Sequence, residues 1–483
     1  MDAHRLENRV TGVRKAKSLQ MDPEPLRKAA DRLKSQVDAG RLPGVMTCAV
    51  KEGHVIHFEA HGFADLAGGV ALSSQTLFRL YSQTKPILVV GFLILFERGA
   101  VSLDDPVEKY LPEFKGASVG PKRKPLLRPM LVRDLLAHTS GIGFGPGFGY
   151  EAENDYESTY LPLVAKVDAG EILSLAEWCE ELAKIPLRFQ PGKDWGYGYS
   201  SDVLGRLIEV LTKKRLDDFL KEEVLEPLGM VNTFFAVPAE SSSKLAALYK
   251  REPWHGKATT VRFVTSDVGG SGIVEDLSRN VLARPEKDKS SVLATSTSVF
   301  LQGGPASKVI QGGGCICSVA GGLVSNLGDC SRFFQMVVND GELDGVRLLQ
   351  AESVQLLARD WLNDFTTEKR RRPLWVWNTP GIGFSPLGQI GVEFEGASRR
   401  TVGSQLHTVH WGGAGGSGYM LNWPHRLVVL TYSGVVFDTD TQKTMWRAAF
   451  GSLRRGGAKP VVPVPPVEEK DNATPAKKRR VSR

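Results

Sequence analysis

The feature that most constrains this chain is the run Pro86-Ile87-Leu88-Val89-Val90-Gly91-Phe92-Leu93-Ile94-Leu95-Phe96. It is apolar nearly all round at helical spacing, so as a helix it has no face for water and must be buried in a core. It is too short to span a bilayer, and Arg98-Gly99 closes it. Directly before it stands Ser82-Gln83-Thr84-Lys85. Ser82 thus falls at or just before a helix start, where free backbone N–H groups and the positive dipole end favour developing negative charge. Lys85, three residues on, shares its helix face and reaches the hydroxyl. S-x-x-K is a common pattern, and a serine cap followed by a lysine extending to water also accounts for it. The setting is what makes Ser82 a candidate nucleophile.

With 483 residues the chain has room for one large domain or two to three ordinary ones, and 42% hydrophobic with 24% charged residues is a soluble globular composition. No apolar run reaches membrane-spanning length. The N-terminus lacks the apolar segment of a secretory signal; Arg5, Arg9, Arg14, Lys15 and Lys17 hint at a transit peptide, but Asp2 and Glu7 oppose one. Residues 1–20 therefore read as a solvated, poorly ordered basic tail. Five scattered cysteines (Cys48, Cys179, Cys315, Cys317, Cys330) fit reduced thiols and a cytoplasmic address. Cys315 and Cys317 lack a second ligand pair at zinc spacing, and His54 and His57 point to opposite faces of one strand away from a shared metal with His61. No metal and no cofactor is expected.

The net charge of +7 sits at the ends: residues 454–483 carry nine Lys/Arg against three Asp/Glu and residues 1–20 five against two, leaving the body at about −2. Nothing in the folded body argues for nucleic acid. Residues 454–483 are proline-rich and then charged, which predicts disorder. Their Lys477-Lys478-Arg479-Arg480 resembles a nuclear-localisation patch, the alternative address. The oligomeric state is not legible.

Helical spacing over Pro25–Ala39 is followed by strand patterns at Val45–Val50 and Val55–Phe63 around a Glu52-Gly53 turn. Three more strand-like runs, Leu406–Trp411, Tyr419–Trp423 and Leu427–Ser433, lie near the other end, followed by a helix from Thr439 or Asp440. Between them the chain reads as helices at Leu131–His138, Leu173–Ile185, Asp202–Thr212 and Arg215–Leu225. The expected fold is α/β (α+β): an antiparallel sheet built from both chain ends and flanked by helices, over residues 21–453, with a mostly helical insertion roughly at 116–300.

Two further elements carry chemistry. Trp195-Gly196-Tyr197-Gly198-Tyr199 follows Pro191-Gly192 and precedes a helix, so Tyr197 can project into a cleft as a proton relay or simply pack on the core. Trp411-Gly412-Gly413-Ala414 ends a strand. Its glycines let a substrate lie against backbone, and the Ala414 N–H can donate to an oxyanion, unless the stretch is only a hairpin turn.

Together these elements resemble the serine β-lactamase and penicillin-recognising superfamily, in its class C-like branch, and within it the family VIII carboxylesterases and lovastatin-type transesterases. Leu135-Leu136-Ala137-His138-Thr139-Ser140-Gly141, Glu226-Pro227-Leu228-Gly229-Met230 with Thr233, and Gly321-Gly322-Leu323-Val324-Ser325 are similar to ordered segments of that family, so the resemblance spans about residues 25–453. It implies a β-lactamase/transpeptidase-like fold, Ser82 as the acylated nucleophile, Lys85 as its base, Tyr197 as the catalytic tyrosine and the N–H groups of Ser82 and Ala414 as oxyanion hole. Tyr199 stands where β-lactamases carry the asparagine of Y-x-N, and Trp411 where they carry the lysine of K-T-G. With Tyr199, Trp411, Gly412 and Gly413 placed at the substrate, both departures favour neutral small-molecule esters or acyl-thioesters over β-lactams. A protonated His410, or an arginine on a mobile loop, is the alternative partner for a substrate carboxylate. The rival readings are a β-lactam or D-amino-acid peptide hydrolase and a catalytically inactive structural member. Gly116-Ala117-Ser118-Val119-Gly120 also satisfies G-x-S-x-G, but lacks the preceding apolar strand and following helix that a nucleophile elbow needs.

Overall fold

Both ends of the chain enter one antiparallel sheet of eight strands. In chain order these are β1 (Gly44–Lys51), β2 (His54–Asp65), β3 (Val70–Ala71), β4 (Ile382–Ser385), β5 (Gly388–Gly391), β6 (Thr408–Gly412), β7 (Ser417–Asn422) and β8 (Leu427–Tyr432). In space they run β4-β5-β6-β7-β8-β1-β2-β3. The computed structural model describes residues 13–143, 160, 162–163, 166–167, 171–252, 262–265, 273–274, 322–362, 382–391, 407–435 and 438–453. The two ends join where β8 pairs with β1, from Met46 opposite Tyr432 to Lys51 opposite Leu427.

β1, β7 and β8 are buried at every position. Because strand side chains alternate between faces, this means that both faces of the sheet are covered. Val45, Ala49, Met420, Val429, Met445 and Trp446 pack together on one face, beneath the helices Glu24–Asp38 and Thr439–Ser452. Met46, Cys48, Val50, Tyr419, Leu430, Phe333 and the apolar helix lie on the other. That helix spans Thr84–Glu97 and buries every residue from Thr84 to Leu95, as its composition requires. Gly91 permits its tight contact with the helix Leu216–Leu220, since a Cβ there would lie 2.5 Å from the Leu220 side chain.

The inserted region holds helices at Val132–Leu136, Leu175–Leu182, Ser200–Thr212 and Leu216–Leu220, the last continued by a π-turn at Lys221–Leu225. It is less helical than expected, because Tyr249–Glu252, Arg262–Thr265 and Ile273–Val274 form a separate three-stranded sheet. Two elements were not anticipated. The helix Leu327–Val338 is capped by the Asn326 side chain, which accepts from Asp329 N at 2.8 Å. The edge pair β4–β5 hides in a Gly- and Pro-rich stretch that reads as turn.

The N-terminal tail also differs from expectation. Val13–Ser18 is helical, Ala16 is 1% exposed, and Asp22 N donates to Ser452 O at 2.8 Å, so the chain is docked from there onward. Apolar Ala16 and Met21 outweigh the surrounding charge because they fill the gap beside the C-terminal helix. Residues 1–12 and 454–483, with Cys315, Cys317 and the Lys477–Arg480 run, lie outside the described residues. No described helix is long and apolar enough to cross a membrane.

Candidate active site

Each residue of Ser82-Gln83-Thr84-Lys85 has its own fixture. Tyr81–Gln83 forms a single 3₁₀ turn that leads into the apolar helix, and Tyr81 enters it with φ of +47°, a conformation costly for a non-glycine residue. The turn is strapped from both sides. Leu80 N donates to Leu323 O at 2.8 Å, and Leu323 N donates back to Thr84 Oγ1 at 2.9 Å. The Gln83 amide donates to the Tyr432 hydroxyl on β8. This leaves Ser82 and Lys85 for each other: Lys85 Nζ donates to Ser82 Oγ over 3.2 Å.

The loop with Tyr197 is held against the Leu135–Gly141 segment. Gly196 N donates to His138 O at 2.9 Å, and Ser140 Oγ and Ser200 Oγ share a hydrogen bond of 2.8 Å. Asp134 anchors the other side of that segment by a bidentate pair with Arg128 and by accepting from Thr139 Oγ1. The result brings the Tyr197 ring to Lys85, whose ammonium lies 4.9 Å from the ring centroid. Tyr197, Trp195, Phe384 and Trp411 form an aromatic wall, with Trp411 centred 5.4 Å from Tyr197 and 5.5 Å from Phe384.

Trp411 ends β6 half-buried, and the two glycines after it serve the fold first. A Cβ at Gly413 would lie 2.0 Å from the carbonyl oxygen of Leu80, and Gly413 N donates to Ser417 O at 2.8 Å. The glycine therefore lets residues 412–414 press against the backbone at Leu80, which brings Ala414 alongside the Tyr81–Gln83 turn. Glycine here makes the approach of backbone to backbone; an opening for substrate against these residues is not what demands it.

Two expected site residues point elsewhere. Tyr197 and Tyr199 are both buried, but Tyr199 packs on Trp178 at 4.9 Å and Tyr160 at 5.9 Å, in the core of the insertion. Their two-residue separation spans Gly198 and the start of the helix Ser200–Thr212, so the rings diverge and Tyr199 is not brought to Ser82. His410 faces away from Trp411, as neighbours on a strand must, and packs on Trp446 at 4.7 Å. It cannot meet a substrate carboxylate. Ser118 lies in a two-residue strand paired with Lys124–Pro125, with no helix after it.

The buried histidines shape the electrostatics. Burial, reinforced by Lys85, lowers the pKa of His138 to about 3, and burial with Lys443 does the same for His410. Burial likewise pushes the Tyr419 and Tyr432 phenols well up. Unfolding returns each imidazole to its ordinary value near 6.5, so the unfolded chain takes up protons that the fold refuses. Stability is full above that value and is lost as pH falls toward 3, at on the order of 1.4 kcal/mol per pH unit for each histidine. We expect unfolding to take up about one proton through these two residues at pH 6.5, rising to close to two near pH 5, above the carboxylate range. The slope of unfolding free energy against pH measures this. His410→Phe should lower the uptake by about one proton, and an unchanged slope would mean that His410 is charged in the fold.

A beta-lactamase family model matches residues 29–451. An uncharacterized protein of Mycobacterium tuberculosis is 29% identical over 406 residues, 81% of this chain and 86% of its own length. Esterase EstB of Burkholderia gladioli is 33% identical over 222 residues, 44% of this chain and 53% of its own. The solved structure of EstCE1, a hydrolase with promiscuous acyltransferase activity, gives a TM-score of 0.65 at 21% identity and covers 89% of this chain and 99% of its own. At that identity the likeness is one of fold.

Proposed function

Since the chain belongs to the beta-lactamase family, we propose that it is a serine hydrolase or acyltransferase acting on small neutral esters or thioesters through an acyl-Ser82 intermediate. The observation that carries this reading is the 3.2 Å hydrogen bond between Lys85 Nζ and Ser82 Oγ at the start of a buried helix, with Tyr197 against the same nitrogen. Ser82 Oγ attacks the acyl carbon while its proton passes to the Lys85–Tyr197 pair. The oxyanion of the tetrahedral intermediate accepts from the N–H groups of Ser82 and Ala414. Collapse breaks the bond to the leaving alcohol or thiol, which takes the proton back. Water or a second alcohol then repeats the sequence on acyl-Ser82, giving an acid or a new ester.

The ester preference rests on Trp411. It occupies the place of the cation that family relatives direct at a substrate carboxylate, and it closes an aromatic wall with Tyr197 and Phe384. With His410 turned away, none of these wall residues offers a positive charge to a carboxylate there. An unpaired carboxylate in such a partly dry cleft loses several kcal/mol, on the order of a thousandfold in affinity. The match to the esterase EstB, over about half of that protein's length, supports an esterase reading independently.

The test is a comparison of kcat/KM for p-nitrophenyl butyrate and benzylpenicillin on one preparation. The ester should be cleaved faster by on the order of a thousandfold or more. Faster cleavage of benzylpenicillin would overturn the reading.

A further inference from the structure

His138 is a member of the ring cluster around Tyr197 to which the proposed chemistry gives no task. It is buried, and its imidazole centroid lies 4.6 Å from that of Tyr197, with the planes tilted by 37°. Phe384 meets its edge at 5.6 Å and Trp195 at 6.5 Å. Three features set it apart from a simple filler. Its backbone adopts φ of +55°, a conformation that only glycine takes without strain. The strain is held in place by the bond from Gly196 N to its carbonyl and by Thr139 N donating to Asp134 O at 2.9 Å. Its Nδ1 is shielded from solvent and has no hydrogen-bond partner among the described residues. A leucine or phenylalanine would fill the same space without that penalty.

We propose that His138 is a positioning residue of the active centre, a buried imidazole that packs on Tyr197 and keeps the tyrosine fixed against Lys85 and Ser82. The proposal rests on the acyl-Ser82 reading above. Tyr197 is reached from two sides, by Lys85 at 4.9 Å from its centroid and by His138 at 4.6 Å. Lys85, from the nucleophile helix, is the charged group acting on His138, and Tyr197, from the facing loop, is the titratable group in ring contact; Trp195 and Phe384 bring no charge. An imidazolium here would oppose the positive charge that builds up on the Lys85–Tyr197 pair as it takes the serine proton. Burial and Lys85 together keep the ring neutral across the working range. The strained backbone then has a physical use: it aims a rigid, uncharged ring at Tyr197 from a segment already tied to the tyrosine's own loop.

The experiment compares His138→Ala and His138→Phe with wild type on p-nitrophenyl butyrate, with circular dichroism and thermal midpoint recorded for each. His138→Ala should lower kcat by roughly 10- to 100-fold with KM within about twofold, because a misplaced proton-transfer group costs turnover rather than binding. His138→Phe, which restores the ring stack, should recover most of that loss. Its kcat/KM profile between pH 5 and 9 should match wild type in shape, since His138 does not titrate there. If the alanine variant does not fold, His138→Gln, uncharged but without a ring, carries the same expectation. Wild-type kcat in a folded His138→Ala or His138→Gln variant would overturn the proposal, as would an acid limb that vanishes in His138→Phe. Failure of wild type to label at Ser82 with a fluorophosphonate would strike the acyl-Ser82 reading instead, so the two failures are distinguishable.

Discussion

Ser82→Ala should abolish both fluorophosphonate labelling and ester turnover, with kcat falling on the order of 10⁴-fold or more. The size follows from chemistry: without Oγ no acyl-enzyme forms, and the oxyanion donors alone leave only a residual acceleration. The fold should survive. Ser82 loses only the hydroxyl that accepts from Lys85 Nζ, while the turn itself stays strapped by Leu80, Gln83 and Thr84 to Leu323 and Tyr432. Mass mapping of the labelled peptide provides the check, with Ser118→Ala as control. Labelling that persists in Ser82→Ala and disappears in Ser118→Ala would overturn the assignment.

Lys85→Ala and Tyr197→Phe should each lower kcat by about 100-fold or more, with smaller effects on KM. The two groups share one ammonium–ring contact and one serine proton. Removing either should disable the transfer, so the double variant is expected to lose far less than the product of the two single losses. Steady-state kinetics on all four proteins forms the cycle. Independent, multiplying effects would show that Lys85 and Tyr197 do not act as a unit, and a wild-type rate in Tyr197→Phe would reduce the tyrosine to packing.

Much of this site was legible because it is local. The all-round apolar character of residues 86–96 demanded burial, and a serine and lysine three apart at its start share one helix face whatever surrounds them. The strand pairs at both ends were readable for a similar reason, since β1 and β2 are joined by a short Glu52-Gly53 turn and β7 and β8 by a Pro424-His425-Arg426 turn. Even the helix Leu327–Val338 carried a local sign, an asparagine three residues before an aspartate, although its glycine-rich approach obscured it.

What the sequence determined by itself was therefore the buried helix and the Ser82–Lys85 contact at its start, because hydrogen-bond reach along one helix turn and the need to bury an apolar helix are properties of neighbouring residues. What only the tertiary structure decided was which distant rings and backbones meet that pair. Tyr197 and Tyr199 differ by two positions, yet one lies against Lys85 and the other meets Trp178 edge-on. Gly413 proved to be a close approach to Leu80, and His138 emerged as the neighbour of Tyr197 although its segment is remote in sequence. These contacts arise from how loops on separate elements pack together, and spacing along the chain carries no information about that distance.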